Sequence, residues 1–128
     1  MQKAIIIEDE IRSRALLQDL VMANCEGVEI VALAGNVAEA VEAIKLHQPD
    51  LLFLDIELQT GTGFEVLQQL RADPAYKSLP VVVLTTSNHR EDEAKAMELG
   101  ANAFLTKPGS SGKLLMLFGQ LVQQWKIS

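Results

Sequence analysis

Five side chains in this 128-residue sequence could act together on one reactant: the carboxylates of Glu8, Asp9 and Asp55, the hydroxyl of Thr85 and the ammonium of Lys107. Each stands at or just beyond the end of a short apolar run, at residues 4–7, 51–54, 81–84 and 103–105. Three carboxylates brought within a few ångströms repel one another unless a cation joins them, so the set calls for a hard, oxygen-seeking ion. Mg²⁺ suits it best, because it tolerates a few carboxylates, keeps waters and shares its shell with phosphate. A carboxylate can also attack phosphorus and form an acyl phosphate. Asp55 is the natural nucleophile, standing alone between the acid pair and the hydroxyl, while Lys107 would neutralise phosphoryl oxygens and Thr85 would donate a hydrogen bond. Taken one at a time these residues have plainer explanations. The acids at 8–10 favour a helix N-terminus, Asp55 can form a turn, Thr85 favours a strand, and Lys107 can be a solvated charge. Their common position at the ends of apolar runs is what sets the group apart.

The elements that must position them follow from hydrophobic period. Residues 4–7 form a first strand, and Ile11, Leu16, Leu17, Leu20 and Val21 recur at helical spacing behind it. Residues 28–34 make a second strand, in which Glu29 suits a sheet edge. Asn36 is placed to cap a helix carrying Val37, Ala40, Val41 and Ile44, stopped by His47-Gln48-Pro49. Leu51-Leu52-Phe53-Leu54 is the third strand and Phe64, Val66, Leu67 and Leu70 mark the third helix. Val81-Val82-Val83-Leu84 is a strand covered on both faces. The fourth helix, about residues 90–99, is poor in large apolar residues and has only Ala94, Met97 and Leu99 to hold it down. A short fifth strand at 103–105 precedes a final amphipathic helix with Leu114, Leu117, Phe118, Leu121, Val122 and Trp125. Strands alternating with helices predict a doubly wound α/β fold, a parallel sheet of five strands with five helices. In such sheets ligands bind beyond the carboxyl ends of the strands, which is where the five side chains fall.

Composition limits the partners. A chain of this length, 48% hydrophobic and 22% charged, suits one domain over residues 1–128. The net charge of -6 and the absence of a basic run argue against direct nucleic-acid binding. Cys25 is the single cysteine and can form no internal disulfide, and neither a signal peptide nor an 18-residue apolar run is present, so no membrane is expected and the protein reads as soluble and cytoplasmic. Gly61-Thr62-Gly63 lacks the third glycine of a dinucleotide loop, and neither a phosphate-binding Gly-Lys-Ser/Thr motif nor a nucleophile elbow occurs.

Four stretches, Ile5-Ile6-Ile7-Glu8-Asp9-Glu10, Pro49-Asp50-Leu51-Leu52-Phe53-Leu54-Asp55-Ile56 with Gly63 eight residues on, Leu79-Pro80-Val81-Val82-Val83-Leu84-Thr85, and Gly100-Ala101-Asn102-Ala103-Phe104-Leu105-Thr106-Lys107-Pro108, together resemble the receiver domain of two-component response regulators over essentially the whole chain. The resemblance implies a flavodoxin-like sheet of order 2-1-3-4-5. It also implies that Asp55 accepts a phosphoryl group from a phosphohistidine on a sensor histidine kinase or histidine phosphotransfer protein. Mg²⁺ would be held by Asp9, Asp55, the backbone carbonyl of Glu57 and, through water, Glu8. Thr85 and Phe104 would be the switch residues, a cis bond before Pro108 would place Lys107, and the surface of the fourth helix, fifth strand and fifth helix would be remodelled for a downstream protein or for a second copy in a homodimer. A domain of this kind is no enzyme in the ordinary sense, since it catalyses its own phosphorylation and dephosphorylation. Asn102 and Trp125 resemble the single-domain regulators that serve phytochrome-type kinases.

Four positions depart from the family pattern: Glu8 for the commoner aspartate, Gln59 for proline, Thr86 for alanine, and Phe104 for tyrosine. Other readings compete. A Mg²⁺-dependent phosphatase acting through an aspartyl phosphate would need an acid two residues beyond its nucleophile, and Glu57 has that spacing. The chain could also be the receiver half of a DNA-binding regulator, or a binding module that has lost phosphorylation.

Overall fold

A computed structural model of the chain describes residues 2–24, 27–56, 58, 62–85 and 90–106. Cys25, Glu57, Gln59, Thr86, Lys107, Pro108, Trp125 and the whole expected fifth helix lie outside the described residues. The elements run β1 (Gln2–Ile7), α1 (Ile11–Asn24), β2 (Val28–Ala34), α2 (Val37–His47), β3 (Leu51–Leu54), α3 (Gly63–Ala72), β4 (Val81–Thr85), α4 (Arg90–Glu98) and β5 (Ala103–Thr106). All five strands are parallel and lie in the order β2-β1-β3-β4-β5. The doubly wound fold and the strand order expected from the residues and their resemblance are both present.

The central strands carry uninterrupted apolar runs, at residues 4–7, 51–54 and 81–84, because both faces of the sheet are covered there. Ile5, Ile7, Leu52, Leu54, Val81 and Val83 pack into one cluster with Ala40 and Ile44 of α2, Val66, Leu67 and Leu70 of α3, and Ala96 of α4. The alternate residues Ala4, Ile6, Leu51, Phe53, Val82 and Leu84 pack with Leu17 and Val21 of α1. Strand β2 is an edge, and its Glu29 is exposed as expected. A bulge shifts its register, so that Ala4 pairs with Ile30 while Ile5 pairs with Ala32. Ile11, read as part of the apolar face of α1, is instead 72% exposed, because it opens the helix beyond the sheet edge.

Helix boundaries follow local chemistry. Asn36 accepts the Glu39 N–H at 2.9 Å and donates from Nδ2 to the Glu39 carboxylate at 2.9 Å, a reciprocal cap for α2. At the other end Gln48 turns left-handed, with φ 48°, and its N–H closes on the Ile44 carbonyl at 2.9 Å.

Helix α4 has the thinnest apolar anchorage of the described helices. The residue it buries is Ala96, with Leu99 half-buried behind it; Ala94 is exposed and Met97 is 46% exposed. The expected anchors Ala94 and Met97 therefore face outward, because the turn that meets the sheet is centred on residue 96. By comparison α3 buries Val66, Leu67 and Leu70, each worth roughly 1.5–3 kcal/mol. Part of the deficit in α4 is met by Arg71 at the end of α3. Its Nε and Nη2 donate to the Gly100 carbonyl at 3.1 and 2.6 Å, and its Nη1 donates to the Tyr76 carbonyl at 3.0 Å. Partial burial lowers the Arg71 guanidinium from its usual value. Gly100, with φ 99°, must be glycine on two counts, since a Cβ there would also meet Arg71 Nε at 2.8 Å. Asn102 completes this corner: its Oδ1 accepts the Val81 N–H at 2.9 Å and Arg71 Nη2 at 3.2 Å.

Candidate functional site

Strands β1, β2 and β3 are held level at their carboxyl ends by hydrogen bonds one residue past the strands themselves. The Glu8 N–H donates to the Ala34 carbonyl at 2.8 Å, and the Asp55 N–H donates to the Ile7 carbonyl at 2.9 Å. Both acids thus have fixed backbones at one edge of the sheet, beyond a fully buried apolar ladder. Glu8 is 2% exposed and Asp55 7% exposed, while Asp9 is half-buried. One carboxylate oxygen from each of Glu8, Asp9 and Asp55 lies within 4.8 Å of the others. A turn-forming aspartate is ordinarily exposed, and Asp55 is buried beside two other acids.

The rim is built by close backbone contact. Gly63 opens α3 directly against the strand end, its N–H donating to the Ile56 carbonyl at 3.0 Å. A Cβ at Gly63 would lie 2.5 Å from the Asp55 carbonyl oxygen and 2.7 Å from Ile56 Cα, so no other residue fits without moving the backbone that carries Asp55. On the far side, a Cβ placed on Gly35 would stand 3.6 Å from the Arg14 guanidinium, 3.6 Å from the Glu39 carboxylate and 3.8 Å from Asp9 Cα. The Arg14 guanidinium and the backbone of Asp9 therefore both lie close to Gly35 in the loop between β2 and α2. Arg14 escaped the sequence reading because helical period assigns it only to a polar face.

Thr85 closes β4 at the same edge, in register with Thr106 of β5. Phe104 of β5 pairs with Val83 and packs, half-buried, against the core on the α2, α3 and α4 side. Glu57, Lys107 and Pro108, expected as a metal ligand, a counter-charge and a cis proline, lie outside the described residues.

The donor set fits a hard divalent cation. It offers oxygens only, and two ligands opposite one another on Mg²⁺ stand about 4.2 Å apart, so three carboxylates spread over this span can share an ion if one is reached through water. The acidic cluster has the make-up of a metal site.

The protein-family model for the response regulator receiver domain matches residues 4–118. The chain belongs to this family. It is 35% identical over 114 residues to the transcriptional regulatory protein PdtaR of Mycobacterium tuberculosis, covering 89% of this chain and 53% of that one. It is 31% identical over 107 residues to the polar-differentiation response regulator DivK of Brucella anthropi, covering 84% of this chain and 85% of that one. A protein-glutamate methylesterase/protein-glutamine glutaminase of Desulfotalea psychrophila is 33% identical over 83% of this chain but only 29% of its own length. The receiver domain thus spans between about a third and about a half of several curated relatives it matches. Among solved structures, the Mn²⁺-bound response regulator Rcp1 superposes with a TM-score of 0.85 at 25% identity, over 100% of this chain and 96% of that one. The phosphorylated cyanobacterial phytochrome response regulator RcpA gives 0.86 at 27% identity, over 97% of this chain and 93% of that one. A signalling role of the receiver type follows from the family. Among the described residues no helix is long and apolar enough to cross a membrane.

Proposed function

We propose that this receiver domain, spanning residues 1–128, accepts a phosphoryl group on Asp55 from a phosphohistidine of a sensor histidine kinase or histidine phosphotransfer protein. The observation that carries the reading is the convergence of Glu8, Asp9 and Asp55 at the carboxyl edge of the sheet, with Asp55 almost wholly buried yet close to two other acids. In the transfer an Asp55 carboxylate oxygen bonds to phosphorus as the phosphorus–nitrogen bond breaks, and the electron pair leaves with the imidazole. Asp9, Asp55, the Glu57 carbonyl and, through water, Glu8 would hold Mg²⁺, which would neutralise charge on the phosphoryl oxygens. Lys107 adds a second counter-charge, and the Thr85 hydroxyl donates to the phosphoryl group once formed. The aspartyl phosphate then biases Thr85 and Phe104, and through them the surface of α4 and β5, toward a form that binds a downstream protein or a second copy of the chain.

The domain is a phosphoacceptor and has no separate substrate to turn over. Its work lies in the cytoplasm beside a kinase, and the likeness to RcpA makes a phytochrome-class kinase the first donor to try. Incubation with Mg²⁺ and acetyl phosphate should give one phosphate adduct by intact-protein mass spectrometry, absent in Asp55→Asn. No adduct on the wild type, or an undiminished one on Asp55→Asn, overturns the reading, and rapid turnover of a generic phosphomonoester would favour a phosphatase instead.

A further inference from the structure

Among the described residues, α4 and the turn after it are tied to α3 at two places, and one of these ties is made by Phe64, the residue after Gly63. The Lys95 ammonium stands 4.5 Å from the centroid of the Phe64 ring. Phe64 is half-buried against the core and Lys95 is exposed. Phe64 follows Gly63, which touches the Asp55 carbonyl so closely that a Cβ would meet it at 2.5 Å. The ring is therefore fixed, through one peptide unit, to the end of β3. On its other side it holds a helix whose own burial amounts to Ala96, with Arg71 fastening the far end at Gly100. With so little apolar burial, a single cation–π contact is a sizeable part of what keeps α4 in place.

We propose that the Lys95–Phe64 contact is a latch coupling the Asp55 end of β3 to the position of α4, which makes Lys95 a positioning residue for phosphorylation. The signalling half of this proposal rests on Asp55 being the phosphoacceptor. A dianionic group added to a carboxylate that is 7% exposed needs room, and the backbone that carries this carboxylate lies directly against the start of α3 at Gly63. Shifting that start moves the ring from under the ammonium. A contact present in only one arrangement disfavours the other, and linkage requires that breaking it favours phosphorylation by the same factor. The charge is essential, because the ring face attracts a cation and offers an uncharged chain only ordinary packing.

Lys95→Met keeps the length of the side chain and removes the charge, Lys95→Arg keeps the charge, and Phe64→Leu keeps apolar packing and removes the ring face. In unphosphorylated protein, Lys95→Met and Phe64→Leu should each speed hydrogen exchange across residues 90–98 about two- to fivefold, the size an exposed cation–π contact supports. Lys95→Arg should match the wild type, and the double variant should exchange no faster than either single one. At limiting acetyl phosphate the same two single variants should carry about two- to fivefold more adduct. The latch is overturned if Lys95→Met leaves exchange in α4 unchanged, if the two substitutions add, or if β1 and β3 speed up equally. It is also overturned if exchange rises while the adduct level stays at that of a phosphorylated wild type. A wild type that takes no phosphate overturns the phosphoacceptor reading, and the exchange comparison still decides the latch.

Discussion

Gly63→Ala is the most exacting test of how the acceptor is held. By helix propensity alone the change should help slightly, since alanine is favoured over glycine by up to about 1 kcal/mol inside a helix and by less at its first residue, where Gly63 stands. Local packing reverses the sign. The new Cβ would lie 2.5 Å from the Asp55 carbonyl oxygen, 2.7 Å from Ile56 Cα and 3.1 Å from the Asp55 carbonyl carbon, and all three atoms are backbone. Relief to ordinary contact distance requires α3 and the end of β3 to separate by roughly 1 Å. That strain sits where the Gly63 N–H bonds the Ile56 carbonyl and where Val66 and Leu67 enter the core. Overpacking of this kind costs about 1–3 kcal/mol and outweighs the propensity gain.

For a domain of this size the melting temperature should fall by roughly 4–12 °C, followed by far-ultraviolet circular dichroism. A displacement near 1 Å at an oriented nucleophile costs on the order of a hundredfold in rate, so phosphorylation by acetyl phosphate should drop far more than stability does. A Gly63→Ala protein as stable as the wild type and labelled at the wild-type rate would refute the claim that this glycine sets the position of Asp55.

Two further perturbations probe the opposite edge and the metal. Asn102→Ala removes the acceptor for the buried Val81 N–H and one for Arg71, which should cost about 1–3 kcal/mol in a urea melt while leaving Mg²⁺ affinity intact; an unchanged melt would refute this role. Mg²⁺ at a hundred times its dissociation constant should stabilise the folded domain by about 2.7 kcal/mol. Glu8→Gln should weaken that affinity roughly tenfold or more in calorimetry, and equal binding by the variant would exclude Glu8 from the site.

Much of the architecture was legible because its causes are local. Uninterrupted apolar runs at 4–7, 51–54 and 81–84 read as buried strands, and Asn36 marks the start of α2 by side-chain chemistry alone. Alternation with helices then requires parallel pairing, and parallel pairing puts Glu8, Asp9, Asp55 and Thr85 at one edge. Helical period was less informative at the ends of elements. It assigned Ile11 to a buried face and gave α4 the anchors Ala94 and Met97, because period shows which residues share a stripe and leaves open which stripe meets the sheet.

What the sequence by itself determined is the set of chemically competent side chains and, for Glu8, Asp9, Asp55 and Thr85, the edge they share, since residue type and strand direction do not depend on distant contacts. The burial of Asp55, the 4.8 Å spread of the three carboxylates, the Arg71 clasp on Gly100 and the Lys95–Phe64 contact were decided by tertiary structure. Each joins residues far apart in the chain, and such pairs acquire a distance only when the sheet and its helices are packed together.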